Sequence, residues 1–225
     1  MAESKSCRIL GLTGTYCAGK NRIARLLEDR GLPALDVDKL GHQAIEAEKD
    51  AVLARFGADL LGADGKIDRK GLGARVFGKP EELAALEAIV HPVANRMTSE
   101  WIARQEREGI GLCVINAALL HRSSALPRLE GIIIVKAPWF IRLLRARRRD
   151  RLSWKALLRR FRSQKGFEKQ YYEKQYFNKN FTGNADIYII ENRGCSAFFS
   201  RFFERKLEHR IDQILSAIGR GREHE

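Results

Sequence analysis

The sequence is poor in the residues that mark secreted and membrane proteins. Its four cysteines, Cys7, Cys17, Cys113 and Cys195, stand singly, without the CxxC spacing of a metal site or the density of a disulfide scaffold. No apolar run approaches the ~20 residues that cross a bilayer, and the opening residues, MAESKSC, have no signal-peptide core. We therefore expect a cytoplasmic protein with reduced thiols and no membrane association.

Negative charge is also scarce. The chain has 41 basic and 28 acidic residues, a formal net charge of +13. Eleven basic residues and a single acid, Asp150, lie between Arg142 and Lys165. Such a block indicates a polyanionic partner, either a nucleotide or a nucleic acid, or else a solvated helix face.

Five short apolar segments alternate with helical patterns along the 225 residues. Continuous apolar runs are typical of strands that helices cover on both faces. The pattern predicts a three-layer α/β domain with a five-stranded parallel sheet. The predicted strands are residues 9–12, 32–37, 111–117, 131–136 and 187–191.

The remaining segments have mainly helical spacing. Residues 51–107 show no strand pattern and predict a helical insertion, in which His91-Pro92 should end one helix so that Pro92 opens the next. Residues 138–149 and 152–165 predict two basic helices, and residues 197–218 predict a final amphipathic one. Residues 167–182, rich in Tyr, Phe, Lys and Asn, have no clear period.

Residues 14–21, GTYCAGKN, predict a phosphate-binding loop. They follow an apolar strand and precede a helix, which is the context that such a loop requires. Glycines let backbone N–H groups surround an anion, the helix N-terminus adds partial positive charge, and Lys20 can reach the outer phosphates. The alternative is an ordinary glycine-rich turn. Asn21 stands where the GxxxxGK[ST] motif has a hydroxyl residue that ligates Mg²⁺.

Two acids, Asp36 and Asp38, follow the second predicted strand. Ligands of open parallel sheets bind beyond the carboxyl ends of the strands, so both acids should lie near the phosphate loop. For Asp36, capping of the next helix is a fair alternative.

Several segments together resemble the dephospho-coenzyme A kinase family of P-loop kinases. GLTGTYCAGKN is similar to that family's GLTGGIGSGKS, and Asp36-Val37-Asp38 with His42 resembles its DAD-x3-H/R segment. Residues 56–92 carry the family's FG, DG, D/N-R-x-x-L, VF and HP features in order, and residues 185–194 resemble its closing AD…N-x-G. The resemblance implies transfer of the ATP γ-phosphoryl group to the ribose 3′-hydroxyl of dephospho-CoA.

The resemblance also implies roles for individual residues. Asp38 would orient or deprotonate the acceptor hydroxyl, and Lys20, Arg145 and Arg149 would act on the phosphates, the two arginines from one face of a basic lid. Asn21 would be the protein ligand of Mg²⁺. The residues implied for ATP binding are Gly14, Thr15, Tyr16, Cys17, Ala18, Gly19, Lys20, Asn21, Arg22 and Asn192, and those for the acceptor are Asp36, Asp38, Arg69, His91 and Pro92.

In this interpretation residues 1–225 form one P-loop kinase domain. A helical subdomain at about residues 51–110 would bind the acceptor, and a basic helical lid would span about residues 138–183.

The chain departs from the family pattern at four places. One is Thr15-Tyr16, where the family usually has Gly and an aliphatic residue. Asn21 replaces the hydroxyl residue, and substitution of Asn21 by Ser should raise Mg²⁺-dependent activity if Asn21 is a handicap. The family's D-x-PLL-x-E segment reads NAALLHR at residues 116–122, so that its Asp (Asn116 here), Pro and Glu are lost together. Residues 167–182 form an apparent insertion. These changes bear on rate, metal use and activity rather than on the fold.

Two other functions are compatible with the sequence. One is a P-loop kinase with a different small acceptor, against which the match of residues 56–92 argues. The other is a weakly catalytic nucleic-acid binder, in which aromatic residues between the cations of residues 142–179 would stack on bases. Those aromatic residues are Trp154, Phe161, Tyr171, Tyr172 and Tyr176.

Overall fold

The computed structural model describes residues 6–118, 120, 123, 125–150, 153–163, 185–194 and 200–220. Residues 167–182, the segment without a clear sequence period, lie outside the described residues, and so do its tyrosines Tyr171, Tyr172 and Tyr176.

A five-stranded parallel sheet forms the centre of the fold, as predicted. The strand order is β2-β3-β1-β4-β5, so β1 is the middle strand and the loop that follows it emerges at the centre of the carboxyl edge. Paired strands are all parallel. The strands are β1 (Arg8–Gly14), β2 (Ala34–Asp36), β3 (Leu112–Asn116), β4 (Leu129–Lys136) and β5 (Asp186–Glu191).

Alternate residues of β1 pack into opposite layers. Ile9 joins one buried cluster with Ile115 and with Ile102, and Leu10 joins another with Ile23 and Ile211. Because side chains of a strand point alternately to its two faces, the sheet is buried on both sides. The continuous apolar runs in the sequence have this cause, and the three-layer α/β prediction is confirmed.

Eight α-helices lie within the described ranges. They are α1 (Lys20–Glu28), α2 (Val37–Ala47), α3 (Lys49–Phe56), α4 (Arg69–Val76), α5 (Pro80–Arg107), α6 (Trp139–Asp150), α7 (Trp154–Ser163) and α8 (Ser200–Arg220). Among them, no helix combines the length and apolar character needed to cross a membrane.

The helices between β2 and β3 have a core of their own. Val52, Phe56, Leu72 and Val76 bury their side chains together, away from the sheet. The Arg55 and Glu82 side chains form an ion pair between α3 and α5 across this region. These helices thus share a buried cluster that is distinct from those of the sheet, while Ile102 of α5 packs in a cluster of the sheet.

The predicted helix break at His91-Pro92 is wrong. Helix α5 runs without interruption through Pro92. Proline lacks an N–H, so it cannot donate to the carbonyl four residues earlier. Pro92 is exposed, however, where water can reach that carbonyl, while Val90 and Val93 bury against Ala44 of α2. Packing on the buried face therefore outweighs the local cost of the proline.

Helix α8 is fastened to α1 by side-chain pairs. Arg30, just beyond α1, donates to Asp212 at 2.7 Å, and Arg22 pairs with Glu204. The hydrogen bond from Arg30 lowers the pKa of the Asp212 carboxyl below its ordinary value. This end of the chain thereby covers the face of the sheet on which α1 lies.

Candidate active site

The phosphate loop, residues 14–21, joins β1 to α1 and folds in a conformation that ordinary residues disfavour. Gly19 has φ 97°, and Cys17 has φ 59°, which makes it the only non-glycine residue with positive φ in the described ranges. A left-handed conformation costs a non-glycine residue about 1–2 kcal/mol. Such strain concentrates at functional sites, where surrounding contacts enforce it.

Arg145 of α6 supplies the main contacts that hold this loop. Its guanidinium donates to the backbone oxygens of Cys17 at 3.2 Å and Ala18 at 2.9 Å. The same group donates to the backbone oxygen and Oδ1 of Asn192 and to the oxygen of Gly194. Asn192, which is buried, donates from Nδ2 to the Ala18 oxygen at 2.9 Å. Loop carbonyls are therefore bound by α6 and by the segment after β5.

Gly19 has no room for a side chain. A Cβ at this position would collide with Nδ2 of Asn192, and the positive φ strains any L-residue. We expect Gly19→Ala to weaken ATP binding by at least about tenfold, because a shift of the loop by about 1 Å is enough to misplace a bound group. Titration of the variant with ATP measures the effect.

The matched control is Gly31→Ala. Gly31 also has positive φ, at 78°, but a Cβ there meets nothing within 4 Å. This variant should lose about 1–2 kcal/mol of stability and keep its ATP affinity. Equal ATP affinities in the two alanine variants would contradict the steric account of Gly19.

Lys20 and Asp38 form an ion pair at the mouth of the loop. Nζ of Lys20 lies 2.9 Å from Oδ2 of Asp38, and the Ala118 N–H donates to Oδ1 of Asp38 at 3.3 Å. The lysine side chain is 11% exposed and the aspartate side chain 52% exposed. A cation suited to phosphate and a solvent-accessible carboxylate suited to accept a proton thus lie side by side.

Asn21 contacts a residue of a neighbouring strand. Its Oδ1 accepts a hydrogen bond of 3.4 Å from Nδ2 of Asn116, the last residue of β3. Asn116 is 2% exposed, and its own Oδ1 is buried with no hydrogen-bond partner in the described part of the chain.

A cavity of about 940 Å³ opens above the loop and is large enough for a nucleotide. It brings together residues from the loop, from α2 and from α6, over more than 120 positions of sequence. Its described lining residues are Gly14, Thr15, Tyr16, Cys17, Gly19, Lys20, Asn21, Arg22, Asp38, Ala118, Arg145, Arg148 and Arg149.

Other predicted site residues lie away from this lining. Asp36 accepts from the Lys39 N–H and caps α2, in agreement with the capping alternative. Ala18 and Asn192 are buried behind the loop. Arg69, His91 and Pro92 are exposed on α4 and α5 and are not among the described lining residues. These three predicted acceptor residues therefore do not contribute to the described lining of this cavity.

The arginines of α6 differ in how they are engaged. Arg149 donates to its neighbour Asp150 at 2.7 Å and lies over the Tyr16 ring, and Tyr16 in turn hydrogen bonds to Asp150. Arg148 lines the cavity and makes no hydrogen bond or ion pair within the described part of the chain. The sequence did not single out Arg148, because nothing in a run of three arginines tells which one faces the cavity.

Comparison with known sequences gives a consistent family match. The profile of the family described as Dephospho-CoA kinase matches residues 8–186. The dephospho-CoA kinase of Treponema pallidum is 32% identical over 220 residues, which cover 95% of this chain and 96% of that protein. A dephospho-CoA kinase of Thermus thermophilus is 36% identical over 162 residues, with 72% and 77% covered.

Two solved structures share the fold over most of this chain. The crystal structure of TT1252 from Thermus thermophilus has a TM-score of 0.72 at 30% identity, covering 95% of this chain and 98% of that one. The dephospho-CoA kinase from Campylobacter jejuni, at 22% identity and a TM-score of 0.55, shares the fold over 91% of this chain and 98% of its own.

Proposed function

The chain belongs to the dephospho-CoA kinase family, and we propose that its phosphate-loop cavity binds ATP and that Asp38 receives the acceptor hydroxyl. The enzyme transfers a phosphoryl group from ATP to the ribose 3′-hydroxyl of dephospho-CoA, the last step of coenzyme A biosynthesis. The observation that supports this assignment of roles is the Lys20–Asp38 pair, which sets a phosphate-binding cation beside a carboxylate in the same cavity.

On the donor side, backbone N–H groups of the loop and the N-terminus of α1 attract the ATP phosphates. Arg145 and Asn192 bind the carbonyls of Cys17 and Ala18, which supports the loop conformation from behind. Lys20 adds a point charge that stabilises negative charge on the transferring group. We thus assign Arg145 a positioning role, since five acceptors already occupy its guanidinium.

On the acceptor side, one carboxylate is sufficient for the chemistry. The 3′-oxygen forms a bond to the γ-phosphorus while the bond from that phosphorus to the β,γ-bridging oxygen breaks. The hydroxyl proton passes to Asp38, and ADP leaves. Phosphoryl transfer needs little covalent chemistry from the protein. Asp38 and Lys20 therefore have to supply only correct positioning and charge.

The residues present also fit a hard divalent cation. Mg²⁺ is commonly held in such sites by one or two protein oxygens together with substrate phosphates. Asn21 supplies an amide oxygen on the cavity wall, and the Oδ1 of Asn116 behind it is buried and unpartnered within the described residues. When bound, Mg²⁺ would neutralise charge on the ATP phosphates, with Asn21 as its protein ligand.

We assign acceptor binding to the helical subdomain, with Arg69, His91 and Pro92 as its contact residues. The assignment rests on the family resemblance of residues 56–92 and on the exposure of all three side chains. The basic lid comprises α6 and α7 in the described residues, within predicted limits of about 138–183.

Arg148 is the lid arginine that we expect to contact the ATP phosphates. Substitution of Arg148 by Ala should raise the KM for ATP about tenfold, because one charge-assisted hydrogen bond to phosphate is lost. Arg147→Ala is the matched control, since Arg147 lies over the Trp154 ring and outside the cavity lining. A steady-state titration with ATP that gives equal KM values for both variants would refute this role.

The function itself is tested with the purified chain, ATP and Mg²⁺. Dephospho-CoA is offered in parallel with AMP, CMP and adenosine, and formation of ADP and of the phosphorylated acceptor is measured. We expect phosphorylation of dephospho-CoA at its 3′-hydroxyl. Reaction with another acceptor but not with dephospho-CoA would overturn the substrate assignment.

A further inference from the structure

Asn21 and Asn116 are hydrogen bonded to each other beneath the phosphate loop, and both differ from the residues that the family pattern has at these positions. Asn21 stands in place of a hydroxyl residue, and Asn116 stands in place of an aspartate. The structure shows that these positions, 95 residues apart in sequence, are hydrogen-bonded neighbours. Their departures from the family pattern are therefore one local change, and each has to be interpreted with the other.

We propose that Asn21 and Asn116 form an amide pair that replaces the family's hydroxyl–carboxylate pair as a single unit on the metal side of the ATP site. The inference rests on the proposed function, because it assigns this unit to the cation that accompanies ATP. Asn116 is the positioning residue, and Asn21, on the cavity wall, is the residue that contacts the bound cation.

Hydrogen-bond chemistry explains why the two residues match. A serine hydroxyl can donate to an aspartate oxygen, which accepts. In the amide pair the direction is reversed, since the Asn116 amide donates and the Asn21 oxygen accepts. Either combination gives one donor facing one acceptor, so both satisfy this partly buried contact.

Mixed combinations lose this match. With Asn21→Ser alone, the shorter side chain recedes from Asn116 and leaves the Nδ2 of a 2% exposed residue without its partner. With Asn116→Asp alone, the Asn21 amide must turn over so that its Nδ2 faces the new carboxylate, and this moves its Oδ1 from the position at which it would contact the cation. Asn21→Ser by itself is therefore expected not to raise Mg²⁺-dependent activity. Considering Asn21 without Asn116 leads to the opposite expectation.

The amide pair also changes the charge beneath the loop. It is neutral, whereas a hydroxyl–carboxylate pair carries one negative charge, and a negative charge repels ATP until a cation intervenes. Binding of ATP to this enzyme should consequently depend less on Mg²⁺ than binding to a form with the charged pair. The ligand concerned is a hard divalent cation bound together with a nucleoside triphosphate.

The test is a double-substitution cycle of Asn21→Ser, Asn116→Asp and the combined variant on the full chain. The Kd for ATP is measured by calorimetry with and without Mg²⁺, beside the melting temperature. We expect each single variant to bind MgATP at least about tenfold more weakly and the combined variant to return to within about threefold of the parent. The ratio of Kd without Mg²⁺ to Kd with Mg²⁺ should be larger for the combined variant than for the parent.

Asn95→Asp, at an exposed position of α5, controls for the added negative charge and should leave both Kd values unchanged. Multiplicative effects of the two single substitutions in the combined variant would overturn the proposal, as would an unchanged Mg²⁺ ratio. These readouts are independent of the acceptor. Failure to phosphorylate dephospho-CoA would refute the proposed function. The ATP Kd values of the variants would still show whether Asn21 and Asn116 act as a pair.

Discussion

Substitution of Asp38 by Asn lowers turnover of dephospho-CoA by about 10²–10⁴-fold, the range that a positioned general base contributes. The amide keeps an oxygen that can accept from the Ala118 N–H, as Asp38 does at 3.3 Å, so the local fold is retained. It cannot take up the proton of the acceptor hydroxyl. The loss therefore appears in kcat, measured at saturating ATP and dephospho-CoA.

Affinity for ATP should hardly change in the same variant. The carboxylate of Asp38 pairs with Lys20, but its side chain is 52% exposed. Ion pairs of this kind contribute about 0.2–1 kcal/mol, so the Kd for ATP should move by less than about fivefold. Asp29→Asn, an exposed position at the end of α1, is the matched control and should behave as the parent. A normal kcat in Asp38→Asn would remove Asp38 from the mechanism.

Substitution of Arg145 by Lys has the second large effect, on the phosphate loop. The guanidinium of Arg145 reaches acceptors on Cys17, Ala18, Asn192 and Gly194 at once. An ammonium group has three donors around a single nitrogen and cannot span these positions. We expect the free energy of unfolding to fall by about 2–3 kcal/mol, since hydrogen bonds from a charged group contribute about 1.5–3 kcal/mol and are not additive.

The loop should also lose its orientation in Arg145→Lys. A displacement of about 1 Å can reduce turnover by about 10²-fold. Denaturant titration measures the stability and steady-state kinetics measure the rate. The control is Arg147→Lys on the exposed side of α6, where both quantities should stay near the parent. If Arg145 acted only by closing on the phosphates, its substitution would lower activity and leave stability intact.

Much of the fold is predictable because its signals are local. The inner strands β1, β3 and β4 are apolar runs, and a run that is apolar on both faces is itself the result of burial between two helical layers. The phosphate loop is equally local, since Gly14, Gly19 and Lys20 lie within eight residues between a strand and a helix. Helix α5 is the exception. Pro92 predicts a break, and the buried contacts of Val90 and Val93 that keep the helix intact are with residues far away in sequence.

Apolar runs and glycine spacing along the chain predict the five parallel strands, the phosphate loop after the first of them and the carboxylate of Asp38 shortly after the second. The partner of each charged and polar side chain, in contrast, is set by the folded structure. Three arginines of α6 line one cavity, but Arg145 binds backbone oxygens up to 128 residues away, Arg149 pairs with Asp150, and Arg148 faces the cavity without a partner in the described residues. The proposed role of Asn21 likewise depends on its hydrogen bond with Asn116. The physical reason is that the period and composition of a segment determine its conformation and burial. A hydrogen-bond partner, in contrast, depends on the distance and direction between atoms that only folding brings together.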